Sequence, residues 1–168
     1  MGPERIPRRK DEAVQEIRRA RLEDHEAVVR VMPEWWADSR TPEQARQLTL
    51  LLPRLFFEHF SGTSLVMDGD DGMHGFLVGF HSADHPDEAY IHFVGVDPRH
   101  RKDGVARALY ERFFEEATAA GRTKVKAITS PANTGSIAFH RAMGFDVHVP
   151  EPGYDGPGQD RVRFEKTL

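Results

Sequence analysis

The sequence predicts a mixed α/β fold, in which about four helices flank one central sheet of about six to seven strands. An apolar run at 91–96 is typical of a strand. It passes through a short glycine-containing loop into a helical pattern, where apolar side chains recur every four residues from Val105 to Ala117. The segment 68–72 is rich in Asp and Gly and is typical of a β-hairpin turn. Strand and helix patterns follow one another along the rest of the chain, as expected for helices packed on a sheet.

The first half of the chain is predicted to contain a strand, two helices and the hairpin. A strand at 16–21 precedes a helix that Asp24 can cap and that a break near Pro33 ends. Pro42 fits the first turn of a second helix, predicted at 41–52. The other elements of this half are a further helical turn and the two hairpin strands, at 55–60, 64–67 and 74–82.

The second half is predicted to alternate between strand and helix. The strand 89–96 leads through the glycine loop into the long helix, for which Gly121 is well placed as the C-terminal cap. A strand at 123–129 leads to a helix that ends at Met143 and is closed by Gly144. The chain finishes with a strand, an irregular loop rich in glycine and proline, and a last strand, at 145–149, 151–159 and 160–166.

Composition narrows the class of protein. The chain has 168 residues, no cysteine and a net charge of −4. We expect one domain at 14–168, after a loose charged tail at 1–13. The lack of cysteine excludes a disulfide scaffold, a cysteine-ligated zinc site and an acyl-cysteine mechanism. The charge disfavours a nucleic-acid partner, and no apolar run approaches the ~18 residues of a membrane helix. We therefore expect a cytoplasmic enzyme without nucleic-acid or membrane partners, and a homodimer is left open.

The loop between the apolar strand and the long helix is suited to an anion. N–H groups in the first turn of a helix have no partner within the helix, and the helix dipole adds about half a positive charge there. Gly104 and Ala106 lack side chains that would block approach to the backbone. Arg101, and less strongly Lys102 and Arg107, can face phosphates. The loop therefore predicts a pyrophosphate ligand.

The loop sequence Arg101-Lys102-Asp103-Gly104-Val105-Ala106 resembles motif A of the GNAT (general-control-type N-acetyltransferase) superfamily, Q/R-x-x-G-x-G/A. In that family the motif cradles the pyrophosphate of acetyl-coenzyme A. Val96-Asp97-Pro98 lies where the family ends its fourth strand, and 133–145 resembles its N-x(4)-A-x-x-Y-x-x-x-G-F block. The resemblance covers roughly residues 15–168. It implies acetyl-CoA as co-substrate and a GNAT fold whose sheet is splayed between strands 4 and 5.

The resemblance also implies which residues bind the coenzyme. In the family, backbone groups freed by the splay bind the pantetheine arm and the thioester oxygen. Asn133 is similar to the family asparagine that bonds the pantetheine arm, although a helix N-cap is an alternative role. The residues expected to bind the coenzyme are Val94, Val96, Arg101, Lys102, Asp103, Gly104, Val105, Ala106, Arg107, Asn133, Ser136 and Phe139.

A catalytic base is expected on the strand that precedes the loop. A primary amine has a pKa near 10.4 in water, so a base must deprotonate it near neutral pH. Strand alternation predicts Tyr90, His92, Val94 and Val96 on one face. By resemblance, Tyr90 stands where histone-type members carry a glutamate, and His92 where arylalkylamine acetyltransferases carry a histidine. We favour His92 as the base. Tyr90 is the second candidate for the base, and the alternative for His92 is a purely structural role.

The sequence offers two candidates for the proton donor to the leaving thiolate. His140 occupies the position where the family block has its tyrosine. It can donate a proton, bond the sulfur, or pack as a polar helix residue beside Phe139, and Tyr154 in the late loop is a second candidate. The spacing of His74, His81 and His85 does not suit metal ligands, so no metal is expected.

These residues predict an N-acetyltransferase. The acetyl group of acetyl-CoA would pass to a primary amine, most simply that of a small molecule, by direct attack in a ternary complex. Two alternatives remain at this point. One is a non-catalytic acyl-CoA-binding or sensor module, and the other is an acetyltransferase acting on a lysine or an N-terminal amine of a protein. The acceptor depends on the geometry of 33–60 and 150–158.

Overall fold

The structure is a computed structural model that describes residues 15–168; the predicted tail at 1–13 lies outside the described residues. The strands are β1 (Glu16–Arg19), β2 (Leu65–Gly69), β3 (Gly72–His81), β4 (Glu88–Val96), β5 (Lys124–Thr129), β6 (Asp146–Val147) and β7 (Val162–Thr167). The helices are α1 (Asp24–Trp35), α2 (Pro42–Thr49), α3 (Leu55–His59), α4 (Val105–Ala119) and α5 (Thr134–Ala142), with 3-10 turns at Ser61–Thr63 and Pro98–His100. The predicted order of elements is confirmed.

All seven strands form one mixed sheet, in the order β1-β2-β3-β4-β5-β7-β6. β4 and β5 run parallel, because α4 carries the chain back across the sheet between them. The other neighbouring strands are antiparallel. The predicted mixed α/β fold is therefore confirmed. Among the described residues, no helix has the length and apolar character needed to cross a membrane.

Helices cover both faces of the sheet and bury two separate cores. On one face α1 and α3 pack against β2 and β3 through an apolar cluster that includes Val28, Met32, Phe57 and Phe76. On the other face α4 and the C-terminal strands form a larger cluster around Leu109. Both cores include residues of β4, whereas β5 contributes only to the larger one. A ligand that binds between β4 and β5 would therefore contact strands that are fixed by close packing.

The first helix departs from the prediction at both ends. The expected break after Pro33, at 34–38, begins two residues later than predicted, because α1 continues through Pro33 to Trp35. A proline costs one backbone hydrogen bond, but Met32 and Trp35 are buried on either side of it and keep the last turn packed. Asp24 does not cap α1 as expected; its carboxylate instead accepts from the backbone N–H of Arg21 at 2.7 Å and from the Arg18 guanidinium at 2.8 Å.

Candidate active site

The sheet opens between β4 and β5. The two strands pair only over Glu88 to Tyr90, which face 124–126 of β5. Beyond that point β4 remains paired to β3 as far as Val96, and β5 remains paired to β7 as far as Thr129. The gap between them is therefore V-shaped, and within residues 15–168 the edge of β4 that faces β5 has no strand partner from residue 91 onward. The expected splay between the fourth and fifth strands is confirmed.

A β-bulge at His92 lies where the two strands separate. In the register with β3, Phe93 lies opposite Val78 and Ile91 lies opposite Gly79, so His92 is the extra residue. A bulge of this kind bends the strand and changes which face the following side chains occupy. The bend directs β4 away from β5.

The bulge overturns one expectation about strand faces. Ile91, Val94 and Val96 pack on the α4 side of the sheet. His92 contacts the α2–α3 segment on the opposite side, and Phe93 joins the core on that side. The prediction that simple alternation groups His92 with Val94 and Val96 is therefore wrong, since the extra residue breaks the period of two.

A cavity of about 190 Å³ occupies the opening between β4 and β5. The predicted site residues that line it are His92, Val94, Asn133, Ser136 and His140. The other polar and aromatic lining residues were not among the predicted site residues; they are Trp36, Arg40, Phe93, Tyr110 and Thr129. The fold therefore brings the expected base, one of the strand valines and the start of α5 to one place.

A second cavity, of about 260 Å³, meets β5 at Ala127 and Ile128, which also line the first cavity. Tyr90 and Tyr154 both line this second cavity, together with charged groups that include Glu88 and Lys126. Burial raises the pKa of Tyr90 to about 12, so the phenol stays protonated near neutral pH. Tyr90 therefore suits a hydrogen-bond donor better than a base.

The ring of His92 is held in one orientation by its neighbours. Its Nε2 lies 2.6 Å from the carbonyl oxygen of Leu51, and the ring stacks on Phe56 with centroids 4.4 Å apart. A carbonyl oxygen can only accept, so the proton of the neutral ring resides on Nε2. The lone pair is then on Nδ1. The Leu51 carbonyl oxygen thus fixes the tautomer of His92, as the third group of a catalytic triad fixes that of its histidine.

His140 lies in the core rather than free over the thioester. Its ring stacks on Phe164 at 3.9 Å between centroids, and its Nδ1 donates to the carbonyl oxygen of Ser136 at 2.7 Å. Its Nε2 accepts from the hydroxyl of Tyr110 at 3.0 Å. Burial lowers the pKa of His140 to about 4. The ring is thus neutral near pH 7 and its one proton is committed to a backbone carbonyl, which argues against the expected role as acid.

The burial of His140 predicts a specific pH dependence of stability. An unfolded histidine has a pKa near 6.5, and the folded value is about 4. Below about pH 6.5 the unfolded chain binds the proton first, so the free energy of unfolding falls as the pH falls towards 4. We expect His140→Gln to remove roughly 2 kcal/mol of the loss between about pH 7 and pH 5. Urea unfolding of both proteins at the two pH values measures this, and identical pH slopes would contradict it.

The predicted pyrophosphate loop leads into α4 through a left-handed glycine. Gly104 has φ +73° and precedes the helix, and no side chain caps the N-terminus of α4. The first turn carries no acidic residue. A Cβ at Gly104 would meet no heavy atom of the described chain within 4 Å, so the space in front of this turn is open. These features favour an anion at the N–H groups of 104–107.

The basic residues of the loop differ in what they contact. The Arg101 guanidinium donates to Asp38 and to the carbonyl oxygen of Trp35, both at 2.8 Å, and so ties the loop to the end of α1. Arg107 lies 3.5 Å from Glu111. Lys102 is exposed and makes no ion pair within residues 15–168. Lys102 is therefore the loop cation most available to a phosphate.

The remaining predicted cofactor residues fall into two groups. Asn133 accepts from the backbone N–H of Ser136 at 3.1 Å and caps α5, while also lining the cavity. Phe139 packs edge-on against Tyr110 in the α4 core, with centroids 5.0 Å apart, and does not line the cavity. Val96 and Val105 also contribute to that core, so only their backbone groups are placed to meet a ligand.

A sequence model of the acetyltransferase (GNAT) family matches residues 26–145. That match includes the opened sheet, the loop before α4 and the start of α5. The chain belongs to the GNAT acetyltransferase family. The resemblance inferred from motif A is thereby confirmed.

Curated relatives are similar over part of their length. The chain is 30% identical over 89 residues to an L-2,4-diaminobutyric acid acetyltransferase of Nocardia farcinica, covering 53% of this chain and 46% of the relative. It is 32% identical over 77 residues to an L-methionine sulfoximine/L-methionine sulfone acetyltransferase of Salmonella typhimurium, covering 46% and 42%. The chain thus spans about half the length of the curated relatives it matches.

Solved structures share the fold over nearly the whole chain. A GNAT-family structure from Desulfovibrio desulfuricans aligns with a TM-score of 0.74 at 20% identity, covering 92% of this chain and 99% of that one. The diaminobutyrate acetyltransferase of Paenibacillus lautus, solved with L-2,4-diaminobutyric acid and coenzyme A, aligns with a TM-score of 0.68 at 19% identity, covering 91% and 94%. At these identities the likeness concerns the fold.

Proposed function

We propose that the protein transfers the acetyl group of acetyl-CoA to a primary amine of a small molecule, by direct attack in a ternary complex. The observation that carries this proposal is the cavity between β4 and β5, which is lined by an oriented histidine and by the edge of β4 that is not paired with β5. The coenzyme enters from the loop before α4, with its pyrophosphate on the N–H groups of 104–107.

The proposed reaction forms an amide bond and breaks the C–S bond of the thioester. The amine nitrogen attacks the thioester carbon, and unpaired N–H groups on the edge of β4 stabilise the oxyanion. The attacking nitrogen loses a proton to Nδ1 of His92, directly or through one water. The C–S bond then breaks and coenzyme A leaves as a thiolate. The pKa of an ordinary thiol, about 8.5, lets this thiolate leave tolerably well without a dedicated acid.

His140 has a positioning role in this proposal. Its Nε2 holds the hydroxyl of Tyr110, which lines the same cavity. Burial raises the pKa of Tyr110, so the hydroxyl remains a neutral dipole. Tyr154 lies at the second cavity. Neither histidine protonation nor Tyr154 is then needed for release of the thiolate.

The acceptor is proposed to approach through the second cavity, beside Tyr90. Its lining carries both signs of charge, including Glu88, Lys126 and Arg163. Such a lining suits a small amine that also carries a carboxylate. The named activities of the relatives, on diaminobutyric acid and on methionine sulfoximine, support an amino-acid-like acceptor. A cytoplasmic location stays a prediction of the sequence.

Release of free thiol from acetyl-CoA tests this function. The panel contains 2,4-diaminobutyrate, methionine sulfoximine, lysine, an arylalkylamine and a short peptide with a free N-terminus. We expect turnover with at least one amino-acid-like amine and none with the peptide. Turnover with the peptide alone would indicate a protein acetyltransferase. Tight coenzyme A binding without turnover on any amine would indicate a non-catalytic sensor.

A further inference from the structure

A cluster of two histidines and a carboxylate lies outside the cavity between β4 and β5. Asp71 is in the turn between β2 and β3, His74 is in β3, and His100 ends the 3-10 turn that precedes the α4 loop. His100 Nε2 lies 3.1 Å from one oxygen of Asp71, and His74 Nε2 contacts the other oxygen. One donor atom from each residue lies within 4.8 Å of the other two.

Each histidine in the cluster is supported on its other nitrogen. His100 Nδ1 donates to the carboxylate of Asp103 at 2.9 Å. The side-chain amide nitrogen of Gln15 lies 3.2 Å from His74 Nδ1 and donates to it. Histidines that bind metals commonly donate their second N–H to a carboxylate, as His100 does to Asp103. Both Nε2 atoms contact the Asp71 carboxylate, and the two rings stack with centroids 3.6 Å apart, so a metal ion would displace the Nε2 protons from these contacts.

Burial and charge also fit a cation. The side chain of His74 is 3% exposed and that of His100 16%, whereas Asp71 is 45% exposed and leaves an entry path from solvent. Among residues 15–168, Arg99 forms an ion pair with Asp71 at 3.5 Å and a closer one with Asp97 at 2.6 Å. Arg99 therefore offsets the negative charge of Asp71 only in part.

We propose that Asp71, His74 and His100 bind one divalent transition-metal ion of the zinc class, with water as the remaining ligand. Two imidazole nitrogens and one carboxylate oxygen form a donor set that suits Zn²⁺. Tetrahedral Zn²⁺ with bonds of about 2.0–2.1 Å keeps its donors roughly 3.3 Å apart. The three donor atoms lie within 4.8 Å of one another, and ion binding would require rotations of the two stacked rings that direct both Nε2 atoms to one point.

The bound ion would fasten the 3-10 turn at Pro98–His100 to the β2–β3 hairpin, just beyond the last β3–β4 pair, Gly75 with Val96. Asp71 and His74 belong to the β2–β3 hairpin, and His100 belongs to the segment that leads into Gly104. The role is therefore structural. The sequence predicted no metal, because the spacing of His74 with His81 and His85 suggested none and His100 is distant in the chain.

Calorimetric titration of the chelator-treated full chain with ZnCl₂ tests the site. We expect one equivalent to bind, and Asp71→Asn and His100→Asn to weaken that binding on the order of 100-fold. The matched controls are Asp70→Asn in the same turn and His59→Asn on α3, both exposed, which should bind as the wild type does.

Two further readouts do not depend on the variants folding well. Zn²⁺ should raise the thermal midpoint of the wild type, because a ligand that binds only the folded state stabilises it. Co²⁺ bound to the wild type should give the absorption of a nitrogen-ligated tetrahedral ion. The proposal is overturned if the wild type binds no stoichiometric zinc, if Co²⁺ keeps its aqueous spectrum, or if folded Asp71→Asn and His100→Asn bind as tightly as the wild type.

Discussion

Gly104→Trp is expected to weaken coenzyme A binding on the order of 100-fold or more, which corresponds to about 2.7 kcal/mol. Gly104 adopts φ +73° where the loop enters α4, and its missing side chain leaves open space in front of the first helical turn. An indole at this position would fill the space through which a pyrophosphate reaches the backbone N–H groups. Calorimetry with coenzyme A measures the loss.

The chain offers a matched control for this substitution. Gly121 follows the other end of α4 with φ +79°, and a Cβ there also meets nothing within 4 Å. Both substitutions therefore carry the same left-handed backbone cost, roughly 1–2 kcal/mol. We expect Gly121→Trp to bind coenzyme A as the wild type does. Equal affinities in the two variants would mean that the loop is not the pyrophosphate site.

His92→Ala is expected to lower kcat by on the order of 100-fold, the usual scale for the loss of a general base. The ring is fixed by the carbonyl oxygen of Leu51 and by Phe56, and it lines the cavity between β4 and β5. KM for acetyl-CoA should change little, because the proposed coenzyme contacts are made by the loop, by α5 and by the backbone of β4 rather than by the His92 side chain. Steady-state kinetics across about pH 6–9 should also show that the acidic limb of the kcat profile has disappeared.

Tyr90→Phe separates the two candidate bases. Tyr90 lies at the second cavity with its pKa raised to about 12, so its hydroxyl is expected to orient the acceptor amine rather than to remove a proton. The change should act mainly on KM for the amine. A large loss of kcat in Tyr90→Phe together with wild-type kinetics in His92→Ala would exchange the two roles.

Most of the fold could be predicted because its strongest signals are local. The loop from Arg101 to Ala106 and the block that begins at Asn133 each combine a turn, a helix start and small residues in one short segment. The bulge at His92 could not be predicted, because it depends on the register with β3, in which Phe93 faces Val78 and Ile91 faces Gly79. The continuation of α1 through Pro33 likewise depends on tertiary packing.

The site residues that were predicted lie in segments that resemble the family. Site residues in other segments were not predicted. His92, Asn133 and Ser136 were selected because they lie at positions that resemble the family's, and all three line the cavity. Tyr110 sits in the apolar stripe of α4, where the sequence indicates only core, and its contact with His140 arises from the packing of α4 against α5. An aromatic hydroxyl in such a stripe was the available signal, since a buried tyrosine usually finds a hydrogen-bond partner.

Hydrogen exchange with and without acetyl-CoA tests most directly whether the coenzyme lies between β4 and β5. We expect acetyl-CoA to slow hydrogen exchange in peptides that cover 91–96, 101–108 and 127–136. The reason is that the coenzyme would bind the free edge of β4, the start of α4 and the start of α5. Peptides from β1 and β2, on the far edge of the sheet, should not change. Binding of acetyl-CoA that protects other segments and leaves these three unchanged would contradict the account.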